Sequence, residues 1–430
     1  METVQELQKI SKEEIKLQEK KNNNIKVYKK YRVFSWDLLF YYAIIYLFLT
    51  IEKKITPAQV LQFDAFYILF KFITQIPSTL IIQKIGKRKS LILANFVLAI
   101  HVLIIMFSTN FEMLVFSQVL CAFSFVIKAT CETDMLYDSL KHEEKRGVKF
   151  AKIDGKSTSL YYYIDAISAA ISGFLFVINP YIPMVLCFAI SLVTFFMSAK
   201  FEEIHEEKGK MQIKKEINNI EVSFKNILKS ERLKSLLIFN GIFVALIKIL
   251  QNLRNTVLIE IGMPEQYFGI IFAFLGIVTG IGARNQGRIH KKYRNRTLAF
   301  LSLPVAVSGL ITGLVLFCNF NYTITTIIIL LLFTIQYVVK GPYYVLIKQY
   351  FNNFTNSEKR VRIATANNIF ENGIASILIF LASWILEIAQ IKFTLIILGC
   401  IFIITFVLLL DKMKTRVGLK PEEYSKKEIL

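Results

Sequence analysis

Ten ionisable residues stand inside long apolar stretches of this chain, and they are the residues best placed to do chemistry. They are Asp37, Asp64, Lys71, Lys128, Glu132, Asp134, Asp165, Lys248, Lys340 and Glu371. A charge in hydrocarbon is costly unless it faces a cavity or a partner, so such residues mark a polar pathway. Burial favours the protonated carboxyl, which makes Glu132, Asp165 and Glu371 the expected proton carriers. Lys71, Lys248 and Lys340 could attract an anionic group or serve as counter-ions. Lys128 and Glu132 are four residues apart and can pair directly on a helix. Asp37 sits near the start of the first apolar run.

Other chemistries are poorly represented. The five cysteines, Cys121, Cys131, Cys187, Cys318 and Cys400, lie in or at the ends of apolar runs with no metal-ligand spacing. They read as small hydrophobes, and neither a metal nor another cofactor is expected. No G-x-x-x-x-G-K-[ST] loop is present to bind a nucleotide phosphate. The tyrosines at 41, 42 and 46, at 161–163 and at 343–344 could stack on a flat or cationic solute, but packing accounts for them equally well.

The elements that carry these residues are apolar runs of about 20 residues, the length that spans a bilayer as a helix. Of the 430 residues, 54% are hydrophobic. Twelve spans are expected, near 35–52, 57–82, 90–108, 111–138, 157–178, 181–199, 235–257, 264–284, 297–318, 322–346, 363–386 and 391–410. Residues 1–33 are polar and lysine-rich, so no cleavable signal is expected and the first span serves for insertion.

Basic residues fall in alternate connections. Forty-four of the 52 Lys and Arg lie in the N-tail, the loops at 84–90, 141–156, 284–296 and 348–362, the 200–234 segment and the C-tail. The positive-inside rule therefore places both termini and the central segment in the cytoplasm of a multi-pass cell-membrane protein. The +20 formal charge is then a topology signal, and no nucleic-acid partner is expected. In the central segment, Ile213, Ile217, Ile220, Phe224, Ile227 and Leu228 recur at helical spacing, as in an amphipathic helix on the inner leaflet.

Between spans two and three stands Gln75-Ile-Pro-Ser-Thr-Leu-Ile-Ile-Gln-Lys-Ile-Gly86-Lys87-Arg88-Lys89-Ser-Leu91. It resembles the G-x-L-A-D-R-x-G-R-K-x-x-L loop of the major facilitator superfamily at Gly86, Lys87, Arg88 and Leu91. Thr79 replaces the first glycine, and Gln83 replaces the aspartate that helps hold the family's cytoplasmic gate. Span four closes with Glu132-Thr-Asp134-Met-Leu-Tyr137-Asp138-Ser-Leu-Lys141, similar to the D-x-A-x-x-Y-D-S-L-K ending of a bacterial branch. Asp138 could pair with Arg88 in place of the missing aspartate. Glu144-Lys-Arg146 before span five is echoed by Glu358-Lys-Arg360 before span eleven, and Gly341-Pro342 also resembles that branch. Such an echo fits a duplicated fold.

The resemblance implies an all-α membrane fold of two pseudo-symmetric six-helix bundles. Their expected extents are 34–199 and 235–410, flanked by tails 1–33 and 411–430 and joined by 200–234. Spans three, six, nine and twelve would then face lipid, and the others would carry the pathway, as the embedded charges suggest. Gly86, Lys87, Arg88, Asp138 and Arg360 are the expected cytoplasmic gate. The expected activity is alternating-access transport of a small organic solute by a monomer in the bilayer, coupled to an ion gradient, with the proton as coupling ion. Export is slightly favoured, although the glycine-rich span-five signature of drug/proton antiporters is missing. A lipid flippase, a membrane enzyme or a receptor using the same cavity is the alternative.

Overall fold

The computed structural model describes residues 2–141, 146–204, 231–293, 296–318, 320–353 and 360–414. The amphipathic stretch at 213–228 lies outside the described residues. So do His142 and His205. All regular structure among the described residues is helical. The helices are α1 (Glu2–Ser35), α2 (Ile45–Leu47), α3 (Pro57–Ile85), α4 (Lys87–Phe107), α5 (Phe111–Ser139), α6 (Arg146–Ile178) and α7 (Tyr181–Ser198). They continue as α8 (Glu231–Glu260), α9 (Gln266–Arg284), α10 (Gln286–Tyr293), α11 (Thr297–Phe317), α12 (Tyr322–Asn353), α13 (Arg360–Ile388) and α14 (Ile391–Lys412).

Ten described helices are long and apolar enough to cross a membrane, and the bent α3 makes an eleventh. The bend is 51° and falls at Pro77. Proline lacks the amide donor, and its ring clashes with the carbonyl four residues back, so a kink there has a local cause. The run 35–52, expected as one regular span, is broken. After α1 the chain turns irregularly, forms the short α2 and passes into a π-helix, Phe48–Glu52. Phe40 adopts φ 62, a left-handed conformation uncommon outside glycine. The Asp37 carboxylate accepts from Leu38 N at 2.9 Å, a backbone donor that an unbroken helix would have used, and from the Tyr42 hydroxyl at 2.8 Å.

The chain divides into two compact units. One comprises Met1–Ile45 with Ile73–Lys210, the other Tyr46–Phe72 with Met211–Leu430. The sequence division had assigned 46–72 to the first bundle; here it packs with the second unit. Tyr46 and Thr256 share a hydroxyl–hydroxyl contact of 2.6 Å, Ser383 donates to Ala58 O at 2.9 Å, and Phe66 meets Phe380 edge-on. Both boundaries of this segment fall close to a backbone break, one after Ser35 and one at Pro77.

Helix pairing repeats between the units. In the first, α4 packs on α5 and α7, and α1 on α6. In the second, α11 packs on α12 and α14, and α8 on α13. The core of the first unit gathers Leu91, Ala94, Ile127, Met135 and Leu136 around two wholly buried tyrosines of α1, Tyr28 and Tyr31. In the second unit, α9 and α12 meet backbone to backbone. A Cβ on Gly282 would lie 2.2 Å from Val338 O, and one on Gly341 would lie 2.1 Å from Thr279 O. Outward faces carry large apolar side chains such as Phe196, Trp384, Ile404 and Leu408, as a surface solvated by lipid requires.

Candidate ion and substrate pathway

In the first unit the ionisable residues condense around Glu132. This carboxylate is buried on α5 and ion-paired with Arg32, near the end of α1. It accepts from the Tyr31 hydroxyl at 2.7 Å, and Lys128 Nζ lies 3.8 Å away, giving the expected i,i+4 pair. Arg32 also reaches Asp154 of α6 at 3.3 Å and stacks over Trp36 at 4.0 Å. The Tyr28 hydroxyl donates to Asp154 at 2.6 Å. Burial pushes the Tyr28 phenol well up, so it remains a donor throughout the physiological range. Arg32 was counted in the sequence only as tail charge. Its position within the polar-to-apolar transition Tyr-Arg-Val-Phe-Ser was the available signal.

Asp37 and Lys128 line a small cavity with Phe34, Leu98, Cys187 and Ser191. Asp165 of α6 lies within electrostatic reach of Asp37. Asp37, Lys128, Glu132 and Asp165 therefore belong to one polar region of this unit. His101 is enclosed with Nδ1 2.9 Å from Ser117 O, a packing arrangement.

The gate sequence adopts a specific turn. Gly86 has φ 86 and ψ 163, backbone territory essentially reserved for glycine. The Glu203 carboxylate, just beyond α7, accepts from Lys87 N at 3.0 Å and from Arg88 N at 2.8 Å. It thereby caps the unsatisfied amides of the α4 N-terminus, where negative charge is favoured. Asp138 does not pair with Arg88 as expected. Lys87 Nζ sits 2.5 Å from Asp138 and 3.3 Å from Asp134. The Arg88 side chain instead donates to Phe201 O at 2.5 Å and to Ala199 O at 2.8 Å. Successive helical residues point about 100° apart, so Lys87 and Arg88 cannot both face α5. Arg146 approaches Asp138 at 4.0 Å. Arg360 opens α13, and its side chain lies outside the described residues.

In the second unit, Asp64 and Lys71 of α3, Lys248 of α8 and Glu371 of α13 form one electrostatic cluster around Lys248. Asn240 on α8 donates to Glu371 at 2.9 Å and accepts from the Tyr343 hydroxyl at 3.1 Å. Tyr343 is wholly buried against Phe243, so it packs the helix interface. Lys340 of α12 adjoins Lys248 and a residue that the sequence reading passed over, Arg254. Arg254 stands six residues before the end of α8 and resembles an edge charge, yet it is only 5% exposed. Lys71, Lys248, Lys340 and Glu371 thus belong to the second unit, and the group around Glu132 to the first. Among the described residues no His, Cys, Asp or Glu cluster could hold a metal ion.

Residues 33–378 match the family description "Major Facilitator Superfamily". The chain belongs to that superfamily. No curated protein sequence matches it. Among solved structures, it is similar to the nucleoside transporter NupG with a TM-score of 0.72 at 12% identity, covering 93% of this chain and 100% of that one. A POT family transporter in complex with 5-aminolevulinic acid gives 0.63 at 12% identity, over 91% and 94% of the two chains. A D-xylose-proton symporter gives 0.64 at 11% identity, over 90% and 96%. At such identities the likeness is one of fold. Together with the superfamily match, it makes the chain a multi-pass membrane transport protein and not an enzyme.

Proposed function

We propose that the protein is a proton-coupled secondary transporter of a small organic solute, working by alternating access as a monomer in the cell membrane, with both termini cytoplasmic. The observation that carries this reading is the collection of ionisable side chains into polar regions on packed helix faces, while the lipid-type faces remain apolar. Asp165 and Glu371 are the proposed proton carriers. Glu132 has both Arg32 and Lys128 as ion-pair partners, and that pairing favours a structural task. Export is slightly favoured over uptake, on the resemblance of the span-four ending to that of the bacterial branch.

The test is flux in proteoliposomes with and without an imposed pH gradient, using solutes selected by thermal stabilisation of the purified protein. Wild type is expected to accumulate solute against its gradient when the pH difference is present. Asp165→Asn and Glu371→Gln are each expected to cut gradient-driven flux at least tenfold while retaining the native melting temperature. Undiminished accumulation in both variants would remove proton coupling through these residues.

A further inference from the structure

Within the apolar runs of the second unit, four cations face two carboxylates. Lys71 and Lys248 share the neighbourhood of Asp64 and Glu371. Among the described residues, Arg254 and Lys340 have no carboxylate at ion-pair distance, and the groups they touch are neutral. Arg254 Nη1 donates to the Tyr337 hydroxyl at 2.7 Å, and its Nε and Nη2 donate to Asn255 Oδ1 at 3.2 and 3.1 Å. The Arg254 guanidinium lies 5.9 Å from the Tyr337 ring centre and 5.4 Å from that of Phe272. Lys340 Nζ lies 5.5 Å from the same Tyr337 ring. One tyrosine ring is thus shared by two cations that no carboxylate among the described residues pairs. Arg254, Asn255 and Tyr337 are buried, whereas Lys340 is half-buried.

Uncompensated buried charge is rare because the desolvation cost goes unmet. A guanidinium keeps its proton under all physiological conditions, so Arg254 cannot escape by becoming neutral. Three of its five N–H donors are used by neutral oxygens, which leaves donors in the fork geometry that suits carboxylate or phosphate. Tyr337 and Asn255 hold the guanidinium in place, and the lysine on the neighbouring helix supplies a mobile point charge.

We infer that Arg254 and Lys340, organised by Tyr337 and Asn255, form a subsite for the anionic group of the transported solute, a carboxylate or a phosphate. This inference rests on the transporter reading and narrows its substrate class to organic anions. No covalent step is involved.

The experiment is equilibrium binding to the purified full-length protein at constant ionic strength. Benzoate, succinate and inorganic phosphate are the anionic probes, benzamide is the neutral control, and melting temperature is the readout. At least one anionic probe is expected to raise the melting temperature in a saturable way, with benzamide inert. Arg254→Gln and Lys340→Gln are each expected to weaken that probe at least tenfold. Arg254→Lys retains charge and is expected to weaken it less, which separates binding from misfolding. Lys392→Gln, at the edge of the last span, is expected to bind as wild type. The inference is overturned if no anionic probe stabilises the protein, or if Arg254→Gln, still monodisperse, binds undiminished. A lipid headgroup as occupant is distinguished in nanodiscs. Stabilisation by phosphatidylglycerol over phosphatidylcholine that free anions fail to displace would overturn the solute assignment. Because the readout needs no flux, anion binding without transport would sink the transporter reading and with it the solute assignment, leaving an anion site alone, whereas transport without anion binding would sink only the subsite.

Discussion

At the scale of single residues, the same chemical type has different tasks because its partners differ. Glu132 is enclosed by Arg32, Tyr31 and Lys128, while Glu371 touches the neutral amide of Asn240. Removing the charge of Glu132 takes an ion-pair partner from two buried cations, with Asp154 at 3.3 Å left to Arg32. Breaking a buried pair from one side costs about 3–5 kcal/mol, so Glu132→Gln is expected to lower the melting temperature clearly. Combining it with Arg32→Gln removes both members of the Arg32–Glu132 pair, with Lys128 still in place, so the double variant is expected to lose less than the sum of the singles. A strictly additive pair would show that the contact carries no coupling energy. Glu132, Asp165 and Glu371 were legible in the sequence because a carboxylate within an apolar run is conspicuous. Arg32 and Arg254 were not, because each stands where a span meets its polar flank, and pattern alone cannot tell a surface charge from one drawn inward by its neighbours.

Elements were legible where hydrophobic length defined them and illegible where backbone geometry did. The long helices from α4 to α14 carry the expected apolar runs, although α6 begins well before its run, at Arg146, and the short α10 lies in the polar connection at 284–296. The break within 35–52 has no sequence marker, since that stretch contains neither glycine nor proline. It depends on local hydrogen bonds of Asp37, which hydropathy does not register. Pro77 was read only as part of a loop motif, although its missing donor is a sufficient cause of the α3 bend. Gly86 is the element-scale position whose identity backbone geometry requires. An alanine there must hold a glycine-only conformation, at about 1–3 kcal/mol, and its Cβ would press on the Glu203 carboxylate at 3.2 Å. Gly86→Ala is therefore expected to lower the melting temperature. Gly276→Ala, where an added Cβ meets nothing within 4 Å, is expected to leave it unchanged or raised. Equal effects would mean that the turn before α4 tolerates rearrangement.

For the whole molecule, the repeated pairing of α4 with α5 and α7, and of α11 with α12 and α14, supports a duplicated architecture that the sequence echo only suggested. Orientation in the bilayer rests on the alternating basic loops, and it can be tested without knowledge of the substrate. In a variant lacking the five native cysteines, Lys149→Cys and Lys292→Cys place exposed thiols beside basic connections, and Asn179→Cys and Tyr322→Cys place them at neutral ones. An impermeant maleimide is expected to label the second pair in intact cells and the first pair only after permeabilisation. Labelling of all four from outside would contradict the positive-inside assignment. An exchanged pattern would invert the molecule, and with it the direction in which Asp165 and Glu371 meet the proton gradient. The excess of Lys and Arg on one side makes the first outcome the expected one, because moving those charged loops across the bilayer opposes insertion in any other sense.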